Sequence, residues 1–339
     1  MVKIFFLVLF ILQCTSAQLL EDPKQHKLLL RGIHQTLKQE YDSAEITFRT
    51  IIAHYPKHPC GYLYLAGMLQ ARFSDYGDRF NSAQYDSLLT VASELAEEML
   101  KSKSTEAWGW YYSGVADAFR SYTASDKGNL PTGFFYGISA GSALEKCLEV
   151  DSSFLAAKNI LGSYYYWRSK LAWIPFLSDR TEEGIRLVKQ AFFHPYEKHL
   201  ASHNLMLIFI DEGRYEEAEY YGILMLNEYP SNRSYLWNMM TVYEKWRKPD
   251  SVKSVVNRLL HSTLNAKVTN RYTEATCRLK LAQFALRERR YEDAKSECRS
   301  IISLKKYIGK TKGDLKSKIK QAEMMLEKIA SSTMQSPLK

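Results

Sequence analysis

The sequence predicts an all-α protein, a stack of helical hairpins, and three observations carry that prediction. Apolar residues recur at helical spacing throughout, and no window sustains a strict alternation of apolar and polar. A short residue signature returns at long intervals. The composition is that of an ordinary globular chain, 24% charged, 46% hydrophobic and 13% aromatic over 339 residues. Disordered, collagen-like and disulfide-scaffold classes are thereby excluded.

The first element is an export segment. Met1-Val2-Lys3 gives a short positive start, Ile4 to Leu12 is unbroken apolar sequence, and Thr15-Ser16-Ala17 places small residues for cleavage before Gln18. Residues 1–17 therefore read as a signal peptide, too short to span a bilayer. The expected setting is outside the cytoplasm, in a bacterial periplasm or cell envelope. Leu12-Gln13-Cys14 leaves a lipid anchor on Cys14 open as an alternative, although Gln13 is larger than the small residue wanted before a modified cysteine.

Residues 18–311 form the array. Tyr41-Asp42-Ser43-Ala44-Glu45 is followed by Phe48, Ile51 and Pro56. Tyr215-Glu216-Glu217-Ala218-Glu219 is followed by Gly222, Met225 and Pro230, and Tyr291-Glu292-Asp293-Ala294-Lys295 by Cys298 and Ile301. The offsets agree: a tyrosine after a tight turn, a small residue three later, then apolar residues four and seven beyond it. This signature resembles the tetratricopeptide repeat (TPR) family, whose 34-residue helix–turn–helix carries small, aromatic, small and Pro residues at these offsets. Weaker matches centre on Ala92, Ala140, Gly184 and Val252, so about seven repeats run from 28 to 306. The steps between the seven marker residues are 48, 48, 44, 34, 34 and 42. Gly32, Gly114 and Gly162 fit the small residue of first helices. The excess places insertions at Phe73 to Gln84, Ser121 to Phe135 and Lys170 to Arg180, the last holding Trp173-Ile174-Pro175-Phe176. They are expected to be elaborated loops. The resemblance implies a right-handed α-solenoid.

Residues 312–330 are expected to cap it. Leu315, Ile319, Ala322, Leu326 and Ile329 step by four and three, one stripe of an amphipathic helix. A terminal repeat needs a polar outer face, which a capping helix supplies. Residues 331–339 read as a disordered tail. Between Arg271 and Lys339 there are 17 Lys and Arg against 8 Asp and Glu, which accounts for the whole net charge of +9.

Chemistry-bearing patterns are few. Gly137-Ile138-Ser139-Ala140-Gly141 matches a hydrolase elbow, but that motif needs a strand before it, and Ala140 is already a packing residue. His199 and His203 stand four apart near His194, without the acidic residue of a metalloprotease helix. No C-x-x-C pair occurs among Cys60, Cys147, Cys277 and Cys298; free buried thiols are expected, with a Cys277–Cys298 disulfide conceivable. No catalytic set, metal or cofactor is expected, and the chain reads as a non-enzyme.

The aromatic runs Trp108-Gly109-Trp110-Tyr111-Tyr112 and Tyr164-Tyr165-Tyr166-Trp167 cannot face inward at every position of a helix. The family's first helices line a concave groove. The matching offsets here select Tyr112, Asn159, Tyr166, His203, Asn204, Trp237, Asn238, Thr241, Lys280 and Arg287. Asn204, Asn238 and Lys280 share one offset in successive repeats, a ladder suited to an extended peptide. The function implied is a scaffold for protein or peptide binding. Two alternatives stand beside it: a small-molecule-binding accessory of a transport system, and a peripheral protein held on an anionic envelope surface by its basic C-terminus. Nucleic acid is not an expected partner, because acidic residues are mixed among the basic ones.

Overall fold

A computed structural model describes residues 19–77, 82–171 and 178–334. The export segment with Cys14, the Trp173–Phe176 part of one insertion and the tail from 335 lie outside the described residues. Within them there is no strand. The helices are α1 (Pro23–Leu37), α2 (Tyr41–His54), α3 (Pro59–Tyr76), α4 (Ser82–Met99), α5 (Glu106–Asp126), α6 (Leu130–Val150), α7 (Leu155–Ser169) and α8 (Thr181–Ala191). They continue as α9 (Lys198–Asp211), α10 (Tyr215–Glu228), α11 (Arg233–Lys245), α12 (Pro249–Leu264), α13 (Arg271–Arg287), α14 (Tyr291–Ile302) and α15 (Leu315–Met334), with a 3-10 turn at Ser303–Tyr307. None of the described helices is long and apolar enough to cross a membrane.

The chain divides into two compact units. The N-unit is Met1–Leu69 with Ser82–Ile208, and the C-unit is Gln70–Asn81 with Phe209–Lys339. In the N-unit α1 packs on α2, and α4 to α8 each pack on the next; in the C-unit α10 to α15 do the same.

All seven marker residues are buried: Ala44, Ala92, Ala140, Gly184, Ala218, Val252 and Ala294. The reason is close approach between paired helices. A Cβ on Gly162 of α7 would stand 2.5 Å from the Gly184 carbonyl of α8, and one on Gly184 would stand 2.5 Å from the Gly162 carbonyl. Only two glycines let these backbones touch. Gly114 repeats the arrangement against Leu144 and the Ala140 carbonyl.

Among the described residues, two of the three insertions run largely as helix, residues 78–81 of the first lying outside them. In α2, α8, α10, α12 and α14 the marker is the fourth residue of its helix, whereas in α4 and α6 it is the eleventh. The second helix of these two repeats therefore starts seven residues early. The preceding first helices, α3 and α5, run on to 18 and 21 residues. Seven residues turn about 700°, close to two full turns, so the buried face is preserved while the hairpin lengthens by about 10 Å. Two such additions give the step of 48. The apparent loop at Lys127-Gly128-Asn129-Leu130-Pro131 is a tight turn: Gly128 takes φ +80°, the Asn129 side chain accepts from Thr132 N, and Leu130-Pro131 opens α6. The third insertion is the exception, since α7 ends at Ser169 and α8 begins at Thr181.

The C-terminal helix runs Leu315–Met334, so the expected tail at 331 opens as helix. Leu315, Ile319, Ala322 and Ile329 of the stripe are buried. Leu315, Ile319 and Ala322 pack with Ala275, Leu279 and Ala282 of α13 and with Cys298 and Ile301 of α14, with Leu326 partly buried beside them, and Ile329 packs with Ala285 and Ala294. Each fully buried Leu or Ile contributes about 1.5 to 3 kcal/mol. Cys60, Cys147, Cys277 and Cys298 are free and buried, with no disulfide between Cys277 and Cys298.

Candidate functional site

In the N-unit, first helices bring polar side chains from distant sequence to one carboxylate. Glu197 precedes α9 in His194-Pro195-Tyr196-Glu197, a segment fixed on its other side. Tyr196 accepts from Leu20 N at 3.2 Å and pairs with the His26 ring. That fixes Glu197 pointing inward, 4% exposed. Tyr111 of α5 donates to its Oε1 at 2.8 Å, and Asn159 of α7 donates through Nδ2 to Oε2 at 2.7 Å. Asn204 of α9 in turn donates to Asn159 Oδ1 at 2.9 Å. Burial raises the Glu197 carboxyl above its ordinary value, opposed by the Asn159 and Tyr111 hydrogen bonds.

The amide orientations follow from the chemistry of the acceptor. A carboxylate only accepts, so Asn159 turns its NH2 toward Glu197 and its oxygen toward Asn204. Asn204 must then present NH2 to Asn159, and its own carbonyl oxygen is directed away from the cluster. Asn204 is half-buried, as are Tyr64, Trp108, His58 and His203. Rings close the surroundings: Trp108 stacks on Tyr112 at 5.4 Å and meets Tyr111 edge-on at 5.9 Å, and His58 meets Tyr112 edge-on at 5.5 Å. Burial lowers His58 and His203 to about 4, so both imidazoles are neutral at pH 7. Burial likewise pushes the Tyr64, Tyr111 and Tyr112 hydroxyls well above their ordinary range.

Of the ten residues selected by sequence offset, the structure joins Asn159 and Asn204 directly. Tyr112 is buried against Trp108. Tyr166 is fully buried, its hydroxyl 3.4 Å from the Ile208 carbonyl. His203 lies one residue before Asn204 on α9. The other five belong to the C-unit. Trp237 is half-buried with Tyr272 at 6.3 Å, Asn238 is buried, and Thr241 donates to the Trp237 carbonyl at 3.2 Å. Lys280 forms an ion pair with Glu244, and Arg287 is exposed beside Phe284.

Sequence reasoning passed over Glu197, Tyr111 and Tyr64. A glutamate ahead of a helix ordinarily reads as a solvated first-turn acid. The signal that separates it is spatial, since Asn159 lies 38 residues away. The hydrolase-like pentapeptide lies mid-helix in α6, where Ser139 donates to Asp117; it forms no strand-to-helix elbow. Among the described residues no group of three or more His, Cys, Asp or Glu is placed to hold a metal.

The paired helices with small residues at their crossings define a class, the α-solenoids of helical hairpins. Within it the fold is of the tetratricopeptide type. The chain is similar to human IFIT1, solved as a dimer with m7Gppp-AAAA, at TM-score 0.53 and 13% identity over 87% of this chain. It spans 59% of that chain's length. Yeast Tom70 is similar at TM-score 0.45 and 14% identity, covering 93% of this chain and 66% of that one. The P58(IPK) TPR domain follows at TM-score 0.30 and 14% identity, covering 93% and 100%. No family model matches the sequence, and no curated protein matches it either.

Proposed function

We propose that the protein is a non-enzymatic interaction scaffold that takes an extended peptide segment of a partner protein on the first-helix face of its N-unit. The observation that carries this is the relay from Glu197 through Asn159 to Asn204. It ends on the half-buried amide of Asn204, whose carbonyl oxygen can accept, and a peptide N–H is the complementary group. The TPR-type fold supports the same reading, as does the Tyr64, Trp108 and His203 surround. The setting we propose is the cell envelope, on the strength of residues 1–17 alone.

A peptide-display selection against the full chain tests this. Enriched peptides are expected to lose about tenfold in affinity for Asn204→Ala, the loss of one well-placed hydrogen bond to a charged network, while helicity by circular dichroism is unchanged. Failure to enrich any peptide, or equal binding to the variant, overturns the proposal. The m7Gppp-AAAA of the IFIT1 structure has no counterpart in this reading. A phosphate would meet the acceptor end of the relay and two neutral imidazoles.

A second reading rests on Lys306, Lys310, Lys316 and Lys320, which are all exposed on the 3-10 turn, the loop after it and α15. Each lysine near an anionic lipid surface adds about 1 kcal/mol of attraction at low salt. Replacing all four by Gln is expected to abolish co-sedimentation with phosphatidylglycerol vesicles; unchanged sedimentation removes this reading.

A further inference from the structure

The Glu197 carboxyl is buried, and no cationic side chain among the described residues pairs with it. It is 4% exposed, its oxygens take one neutral donor each, and no Lys, Arg or His forms an ion pair with it among the described residues. Elsewhere in the N-unit partly buried carboxylates are matched within the chain: Asp117 by Arg120 at 2.9 Å, Glu183 by Arg180 at 2.6 Å and Glu145 by Arg180 at 3.3 Å. An isolated buried carboxylate is expensive to maintain, and folds ordinarily pair it. The backbone of Glu197 at the start of α9 eases this only in part.

The surroundings suit a positive partner that arrives from outside. Tyr64 and Trp108 are half-buried aromatic rings, whose faces attract cations. His58 and His203 carry no charge that would repel one. The relay points its acceptor end, Asn204 Oδ1, away from Glu197, and the alignment of Asn159 and Asn204 dipoles carries part of the carboxylate's potential to that oxygen.

We propose that this face recognises a cationic N–H group on its peptide ligand, a lysine ammonium or an arginine guanidinium, which supplies the counter-charge that Glu197 lacks. The inference rests on the reading of the N-unit as a peptide-binding face and names the side chain that the face selects. The cation hydrogen-bonds to Asn204 Oδ1 and stacks against the Tyr64 and Trp108 rings, while Glu197 acts through Asn159 without direct contact.

The test uses the full chain and four acetylated, amidated pentapeptides, Ser-Gly-X-Gly-Ser, with X as lysine, arginine, norleucine or glutamate. Binding is read by nuclear magnetic resonance titration. The lysine and arginine peptides are expected to bind about tenfold more tightly than the norleucine peptide, and the glutamate peptide least. In Glu197→Gln, which keeps the shape of the side chain, that preference falls to within about twofold. Asn204→Ala removes a half-buried acceptor and provides the second arm should Glu197→Gln lose its fold; it too is expected to erase the preference. Equal binding of all four peptides to the wild-type chain overturns the cation proposal and leaves the peptide-binding reading standing. So does a preference that survives in the variants. If no peptide binds, both readings fall.

Discussion

Two consecutive pairs of helices in the sequence, α3–α4 and α5–α6, carry the same insertion and put it to opposite uses. In both, the second helix starts two turns early and the first runs on to 18 or 21 residues, yet the added turns differ in what surrounds them. At the end of α3, Asp75 forms a paired hydrogen-bond contact with the guanidinium of Arg233, at 2.6 Å through Nε, with the two side chains only 7% and 12% exposed. The Asp75 carbonyl accepts from the Asn270 side chain at 3.0 Å, and the Gly77 carbonyl accepts from Lys312 N at 2.7 Å and Thr311 Oγ1 at 3.2 Å. The added turns of α5–α6 instead leave Tyr122, Leu130, Phe134 and Phe135 exposed. Those two helices are held together there by the Ser121 hydroxyl on the Gly133 carbonyl at 2.6 Å and by Gly133 fitting beside Ser125. Helix geometry dictated the length of each insertion. Side-chain chemistry decided whether it became an internal clasp or an outward surface.

The clasp is the larger effect to break. Asp75→Ala leaves Arg233 buried without its carboxylate, and a loss of about 3 to 5 kcal/mol is expected in urea unfolding. A loss under about 1 kcal/mol, the size of a surface pair, would put the two hairpins on the same footing. Next comes Gly133→Ala, whose Cβ would stand 2.2 Å from Ser125 Oγ and 3.1 Å from the Ser121 carbonyl. Prying the α5–α6 tip apart is expected to cost about 1 to 3 kcal/mol, measured by the same unfolding curves.

The turns differ as well. Gly77, Gly128 and Gly213 take a left-handed φ without strain, whereas Gln39, Arg247 and Arg289 take it at 64°, 59° and 58° with a side chain. Arg289→Gly is expected to raise the thermal midpoint through about 0.5 to 1 kcal/mol of relieved strain. Gly128→Ala should lower it by a similar amount. Smallest of all is Phe135→Ser, within about 0.5 kcal/mol, because the ring has little burial to lose. A larger loss would show that the bare surface belongs to the fold after all.

The repeat class was legible because its markers are packing positions, and packing leaves a periodic trace in sequence. Ala44 and Ala294 announce themselves through a tyrosine three residues earlier and apolar residues at fixed distances. The extensions were misread as loops for a physical reason. Gly128 and Pro131 look like breakers, yet one ends α5 and the other opens α6, and fourteen extra residues divided seven and seven leave the helical pattern intact. The candidate site was half legible. The groove offsets named Asn159 and Asn204 as groove-facing; in the structure Asn159 is fully buried and Asn204 half-buried, joined by a hydrogen bond. Glu197 is silent in sequence, because its burial depends on Tyr111 and Asn159, which only the fold brings to it. Asp75 and Arg233, 158 residues apart, are silent for the same reason.

The two-turn extension also governs how freely each region can drift. Added turns that stay exposed, as at Leu130, Phe134 and Phe135 of α6, can be substituted without disturbing the stack. On α5–α6 that freedom is intact, and new surface chemistry can be tried at the tip without renegotiating the repeats below. On α3–α4 it has been surrendered. Once Asp75 and Gly77 became partners of residues from three later segments, a change at the end of α3 required matching changes far along the chain, and the hairpin most free to vary became the one most bound by its history.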